Sequence, residues 1–596
     1  MPELPDPRTE YQRRLETRRA ELAAHDHLHR TIGRVRVSVA LVGVVMVWLT
    51  IIRQQWPLWS LLIPIAASAW LAVKHDRVLR ARRTSERAAA WYERGLARLE
   101  NRWMGQGEPG ERLRDAAHPY ADDLDIFGTG SLFEYLSTAR TRMGEETLSA
   151  WLRGPAPVDV ICARQGAVDE LRPGLELRER LALIAEQVRS EVDAEALAAW
   201  GEGAPLAQSR LARAAPLLLA CLGVAAAVVW AIWGQRDFFV AALGLDALYL
   251  YRQRRIFEGV VVGVEHAAHE LAVLAQVLAL LEAESFRSPL LVRLRATLDI
   301  EGQPPSRRIG RLNRLMELLD SRENWLVKLI GPVLMWVPQL AHAVENWRAH
   351  NGRALRAWLA AVGEMEALCS LANYAYEHPA DPFPEFVPEA PCFNGEGLVH
   401  PFLPEERGVR NNVAIGGELR VLVVSGSNMS GKSTLLRTVG VNAVLAQAGA
   451  PVRARRLQLS ILSVGASIRV VDSLQEGASR FYAEITRLRR IMDLAAGPAP
   501  VLFLIDEFLH GTNSHDRRIG AEAIVRELVK RGAIGLLTTH DLALAEIADA
   551  LAPRGTNVHF QDQLEDGRMS FDYVMRPGTV RKSNALELMR SVGLEV

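Results

Sequence analysis

The sequence predicts a multidomain chain. α-Helical apolar hairpins and a helical core come first, and an α/β domain built around a phosphate-binding P-loop follows. Three observations carry this: four apolar runs grouped in two pairs before residue 252, helical periodicity up to His378, and strands alternating with helices after Gly397. At 596 residues the length suits roughly three to five domains. Lys plus Arg and Asp plus Glu number 70 each, so no global positive field advertises nucleic acid, although a local patch is compatible with that balance. Cys162, Cys221, Cys369 and Cys392 are far apart and match no metal or disulfide spacing.

Residues 1–105 read as a charged cytoplasmic lead-in helix (1–30), a first apolar hairpin and a polar helix (75–105). Val37–Ile52 and Trp56–Val73 lack formal charge, and only Arg53-Gln54-Gln55 separates them. Each approaches the roughly 20 residues that span a bilayer. Arg30, Arg34 and Arg36 precede the pair, and Lys74, Arg77, Arg80, Arg82 and Arg83 follow it. Positive flanks on both sides predict both ends in the cytoplasm, and Trp48, Trp56, Trp59 and Trp70 fall where interfacial aromatic belts lie. More than 30 residues precede the first run and no small-residue cleavage site follows, which argues against a signal peptide.

Residues 106–213 are predicted to form the first part of a soluble helical core, punctuated by Gly128, Gly130, Gly154 and Pro155-Ala156-Pro157. A second hairpin is expected over 214–251, as Ala214–Trp233 and the shorter Phe238–Tyr251, flanked by Arg210, Arg213, Arg252, Arg254 and Arg255. Asp246 lies in its second arm, near an interface or against the neighbouring helix. Residues 252–378 read as helical, and the basic run Arg307–Arg314 as a solvated helix face. The five prolines of 379–396 read as a linker. Within 397–596, strands are expected at Arg420–Ser425, Ile461–Val470, Val501–Ile505 and Gly535–Thr539, giving a largely parallel sheet.

The sharpest motif is Gly426-Ser427-Asn428-Met429-Ser430-Gly431-Lys432-Ser433, after a β-branched run and before a helix-like segment, Thr434–Gln447. Its glycines let backbone N–H groups curl toward phosphates, and the helix N-terminus behind adds partial positive charge. Lys432 is placed to reach β- and γ-phosphates and Ser433 to ligate Mg²⁺. Val501–Ile505 ends in Asp506-Glu507. Asp506 is positioned to hold Mg²⁺, and Glu507 to orient or deprotonate an attacking water. His540, closing Leu536-Leu537-Thr538-Thr539, is placed to sense the γ-phosphate or polarise that water.

Taken together, Gly426-x-Asn428-Met429-x-Gly431-Lys432-Ser433-Thr434, Asp506-Glu507 with Gly511-Thr512, and Thr538-Thr539-His540 resemble the MutS family of mismatch-repair ATPases, relatives of ABC-type ATPases. Further similarities are Gly449–Ala454 (with Arg453 as an extra residue), Gly477–Ile485, Asn557-Val558-His559 and Lys582-Ser583. Upstream, Gly130–Leu132, Thr141–Gly144, Trp151-Leu152 and Arg164–Leu171 resemble the start of the family's core domain, and His400-Pro401 the start of its ATPase domain. The resemblance covers roughly 125–190 and 355–596.

It implies a P-loop ABC-type ATPase binding ATP and Mg²⁺ in a homodimeric sandwich. Ser479 would reach the γ-phosphate held by the opposite subunit, His559 would lie near the adenine, and DNA, mismatched DNA above all, would be the partner. Mismatch-reading, connector and clamp regions are not visible, the ABC signature is replaced by Glu476-Gly477-Ala478-Ser479, and Val409 stands where an aromatic residue stacks adenine. With the apolar hairpins, the expectation is a multi-pass protein of the inner (cytoplasmic) membrane, its ATPase domain in the cytoplasm. The competing reading is an ATP-driven conformational switch acting on the lipid bilayer or protein partners without DNA.

Overall fold

The computed structural model describes residues 5–186, 193–203, 210–299, 302–388, 390–427, 429–469, 480–509, 514–565 and 568–580. It opens with α1 (Pro7–Val47), which ends in a π-helical turn, Trp48–Ile52, and returns as α2 (Leu62–Leu99). The Asp6 carboxylate accepts the Thr9 N–H at 2.9 Å and Pro7 opens the first turn, so the start of α1 is capped twice over. Arg8 meets Glu100, Arg19 meets Glu93 and Asp26 meets Arg82, so the two helices run antiparallel. The charged end of this hairpin is anchored: Tyr11 and Leu15 are buried with Trp91, Tyr92 and Tyr376. At its far end Val37, Leu41, Val44, Ile63 and Ile65 are exposed.

The helical region continues as α3 (Leu132–Leu136), α4 (Arg142–Arg153), α5 (Val158–Leu171), α6 (Leu175–Glu186), α7 (Ala194–Glu202), α8 (Arg210–Trp233), α9 (Asp237–Ala283), α10 (Pro289–Leu298), α11 (Pro305–Asp320), α12 (Trp325–Ile330), α13 (Trp336–Asn351) and α14 (Leu355–Glu377). The hub is α14, buried along nearly its whole length because it is apolar on all faces. Its polar residues are paired: Glu366 accepts the N–H groups of Arg140 (3.0 Å) and Thr141 (3.3 Å), and Glu377 pairs with Arg98 at 2.6 Å.

Among the described residues, three helices are long and apolar enough to cross a membrane: Pro7–Ile52, Leu58–Leu99 and Ala214–Trp233. In the second hairpin, Phe238–Tyr251 forms the start of the 47-residue α9, which carries straight on to Ala283. The basic run lies on α11, where Arg307, Arg311 and Arg314 are exposed. Arg308 is an exception to the solvated face: it is buried and donates to Asn351 Oδ1 at 2.9 Å.

The proline-rich stretch is not free chain. β1 (Glu385–Phe386) pairs with β5 (Arg456–Leu459), and β2 (Cys392–Leu398) with β3 (Asn411–Gly416), in a four-stranded sheet of order β1-β5-β2-β3. The second sheet has order β10-β9-β4-β8-β7-β6, formed by β4 (Val421–Ser425), β6 (Ser463–Ser467), β7 (Val501–Ile505), β8 (Ile534–Thr539), β9 (Gly555–Glu565) and β10 (Arg568–Pro577). β10 is antiparallel to β9, and the other pairs are parallel. α15 (Lys432–Ala448), α16 (Arg480–Leu494), α17 (Ser514–Lys530) and α18 (Leu542–Ala550) complete the domain. β4, β7 and β8 are buried at every position, as both-face coverage of a parallel sheet demands.

The helical region joins this domain through named contacts. Asp123 accepts the N–H groups of Ile468 (2.8 Å) and Arg469 (2.7 Å) at the end of β6, and the Arg487 guanidinium at 2.8 Å. His378, just past α14, bonds the Tyr135 hydroxyl at 3.1 Å and the Tyr374 carbonyl at 3.0 Å, and burial pushes its pKa down to about 4. A neutral native imidazole contributes stability that is complete above pH 6.5 and is lost as pH falls toward 4. The wild type should therefore lose about 2 kcal/mol more than His378→Gln between pH 7.5 and pH 5, measured by denaturant unfolding in detergent.

Candidate functional site

β4 is a five-residue apolar strand. At its end Gly426 (φ 156°) and Gly431 (φ 99°) let the chain reverse before α15 begins at Lys432. A Cβ at Gly426 would lie 2.8 Å from Ser430 Oγ, and one at Gly431 would lie 3.1 Å from Tyr573 Cδ1, so both positions need glycine for space as well as for φ. Ser427 Oγ and Ser430 Oγ are buried with no hydrogen-bond partner among the described residues, the condition of a loop built to receive polar atoms. Lys432 is buried, and its Nζ donates to the carbonyl oxygens of Gly426 (2.8 Å) and Ser427 (2.7 Å). Burial lowers its pKa, against the pull of Asp506 and Glu507. Ser433 and Thr434 are exposed at the helix start, where orphan N–H groups and the helix dipole favour an anion. Asn428 lies outside the described residues.

The acidic pair follows β7, beside β8 in the parallel sheet. The Asp506 N–H donates to the Ser467 carbonyl (2.9 Å), the Glu507 N–H to Thr538 Oγ1 (3.0 Å), and the Thr538 hydroxyl to Asp506 Oδ1. Thr538 thus ties the Asp506 carboxylate and the Glu507 backbone to the adjacent strand. Glu507 (φ 47°) and Leu509 (φ 52°) hold left-handed backbone in a sequence without glycine, strain of a kind that concentrates at working sites. His540 Nδ1 is 3.7 Å from Glu507 Oε1.

A cavity of about 660 Å³ is lined by Met429, Gly431, Lys432, Ser433, Thr434 and Glu507, with Val409 among the other lining residues; Asp506 and His540 are not among them. His559 sits on β9 in register with Ser425, but its ring bonds the Gly578 carbonyl (3.0 Å), and it is not among the residues lining the cavity. Ser479, Gly511 and Thr512 lie outside the described residues. Sequence reasoning missed Arg407, Asn411, Phe560 and Tyr573, which line the same cavity from as far as 140 residues after the glycine-rich loop. No motif marks them; only β-sheet closure brings them in.

Asn411 is the most informative of these. Its Nδ2 donates to the Tyr573 carbonyl (2.9 Å) and its Oδ1 accepts the Met575 N–H (2.7 Å), clamping the β10 bulge and the left-handed Tyr573 (φ 52°) over Gly431. Asn411→Ala should raise hydrogen exchange at the Met575 amide by roughly tenfold, the equivalent of one net hydrogen bond, with β7 unaffected.

The donor set suits a nucleoside triphosphate with Mg²⁺: an ammonium, a hydroxyl at a helix start and a nearby carboxylate. Among the described residues no cluster of three or more His, Cys, Asp or Glu could hold a metal ion by itself, so phosphate oxygens would have to complete the shell. Residues 422–595 match the family model for MutS domain V. "DNA mismatch repair protein MutS 2" of Halobacterium salinarum is 33% identical over 254 residues, 41% of this chain and 28% of that protein. "Endonuclease MutS2" of Thermus thermophilus is 33% identical over 203 residues, 33% of this chain and 25% of that protein. The MutS 2 protein of Haloarcula marismortui is 38% identical over 178 residues. The chain thus spans only about a quarter of the length of the first relatives it matches. Its glycine-rich loop and acidic pair fall within the domain V match, and it is this region, residues 422–595, that the comparisons assign to MutS domain V.

Proposed function

We propose that this chain is a membrane-anchored, Mg²⁺-dependent ATP hydrolase that works as a homodimer. The observation that carries the reading is the gathering of Lys432, Ser433, Thr434 and Glu507 around one cavity, with Asp506 and His540 at the same strand ends. Lys432 leaves its two carbonyl partners to bind β- and γ-phosphate oxygens. Ser433 and Asp506 hold Mg²⁺, which when bound offsets the negative charge of the phosphates. Glu507 orients a water and takes its proton as the water oxygen bonds to the γ-phosphorus and the bond to the bridging oxygen breaks. His540 steadies Glu507. Ser479 of a second copy completes each site, and His559 supports the wall nearest the base from outside the cavity.

Membrane attachment is supported by the exposed apolar ends of α1 and α2 and by α8, on which Leu217, Leu218, Leu222, Val228 and Ile232 are exposed. Their basic flanks favour the cytoplasmic face of the inner membrane for the ATPase domain. The names of the relatives favour DNA, mismatched DNA in particular, as the partner. The balanced charge and the apolar hairpins favour instead a switch acting on lipid or protein.

Lys432→Ala should abolish measurable ATP binding in a calorimetric titration. Glu507→Gln should keep binding and lower kcat by roughly 10²–10⁴-fold. Turnover of the full chain in lipid nanodiscs, with and without heteroduplex DNA, separates the two partner readings. Stimulation that fades steeply with salt supports DNA, and indifference to DNA supports the switch.

A further inference from the structure

Segment 325–336, Trp-Leu-Val-Lys-Leu-Ile-Gly-Pro-Val-Leu-Met-Trp, carries a single formal charge, Lys328, and is too short to be read as a span. It joins α11 to α13 through α12 and a tight turn. The Gly331 N–H bonds the Val327 carbonyl, Trp336 N–H bonds the Gly331 carbonyl, and Met335 (φ 47°) is fully buried at the turn's end. On the outside, Trp325 is 71% and Leu329 70% exposed, with Ile330 and Leu318 beside them. A soluble helical tip would bury these side chains or replace them with polar ones.

The position of the turn explains them. A Cβ on Gly223, midway along the apolar stretch of α8, would lie 3.2 Å from the Val333 carbonyl oxygen and 3.6 Å from Asp246 Oδ2. Val333 therefore sits between α8 and α9 well inside the apolar hairpin, about 16 Å (11 residues) from its connection at Gly234. Asp246 is 2% exposed, and among the described residues neither carboxylate oxygen has a hydrogen-bond partner. Trp336 Nε1 donates to the Leu318 carbonyl (2.9 Å), tying the ends of α11 and α13 together, and His342 packs edge-on to Phe257 of α9. The tip thus descends along α9 past Arg252, and Leu217, Leu218 and Leu222 of α8 are exposed as well.

We propose that α12 and the Gly331–Met335 turn form a third membrane element, a re-entrant wedge whose Trp325, Leu329 and Ile330 contact the acyl chains of the cytoplasmic leaflet. This rests on the reading that α8 and α9 enter a bilayer. Non-spanning backbone is tolerated at such depth only against protein, and the turn is packed on Gly223 and its own hydrogen bonds. Trp325 and Lys328, with an amphipathic indole and a long aliphatic stem, suit the headgroup boundary. The wedge also places a lipid contact at the tip of helices that pack on the same core as the ATPase domain.

The test is spin-label accessibility in the full chain in phosphatidylcholine–phosphatidylglycerol nanodiscs, with Cys162, Cys221 and Cys392 replaced by Ala. Single labels are placed through Leu329→Cys, Val228→Cys on α8 and Asp493→Cys on exposed α16. The expected result is that labels at 329 and 228 collide with oxygen at least several-fold more than with an aqueous nickel chelate, and the label at 493 the reverse. A water-accessible label at 329 beside a lipid-exposed label at 228 overturns the wedge and leaves the anchored reading standing. Dipolar broadening at 329 also overturns it, assigning that face to a second copy. Water access at both 329 and 228 defeats the anchored reading itself.

Discussion

The burial of α15 on nearly all sides constrains everything else. From Leu435 to Ala448 its residues are almost all shielded, by the parallel sheet on one flank and by α4, α5 and the Leu124 loop on the other. Gly440 is where the fit is tightest: a Cβ there would lie 2.7 Å from Leu124 and from Leu504. Asn442 fixes the helix along the chain, donating to the Val399 carbonyl at 3.1 Å and accepting the Arg453 N–H at 2.8 Å. A helix so held cannot shift at its loop end without moving the helical region, because close-packed interiors transmit displacement rather than absorb it.

The same packing explains why the chemical groups stand where they do. The glycine-rich loop, the acidic pair and His540 leave the carboxyl ends of neighbouring strands, where open α/β sheets place their ligands. The Thr538 hydroxyl fixes the Asp506 carboxylate, and the Ser467 carbonyl, Thr538 Oγ1 and the positive φ of Glu507 fix the backbone that carries the acidic pair. Lys432 is the exception, folded back on two carbonyl oxygens. Satisfying a buried ammonium this way avoids the cost of leaving it unpaired.

At the opposite end the surface obeys another rule. The large hydrophobic side chains exposed on α8 and the first turns of α9 include Leu217, Leu222, Val228, Trp233 and Phe238, whereas the rest of α9 buries Val264, Leu271, Leu274 and Leu278 in the main core. One unbroken helix of about 70 Å therefore belongs to both environments. A continuous helix is a stiff link, and α11 and α13 pack beside it.

The sequence by itself determined the elements and the chemistry of the loop. Glycine spacing, Lys432-Ser433, Asp506-Glu507 and the buried β-branched strands are local patterns, and strands β4, β7 and β8 fall within a residue of their expected limits. The apolar runs were legible for the same reason, since composition over about 20 residues is a local property. Only the tertiary structure could decide the rest. Asn411 and Tyr573 reach the cavity because β10 folds back on β9 and meets β3; Glu385–Phe386, among the prolines of 379–396, became sheet because β5 offered β1 a partner; and 325–336 acquired meaning from Gly223, a hundred residues earlier. Each of these is a contact between residues far apart in the chain, and periodicity within one segment carries no record of the surface it will meet.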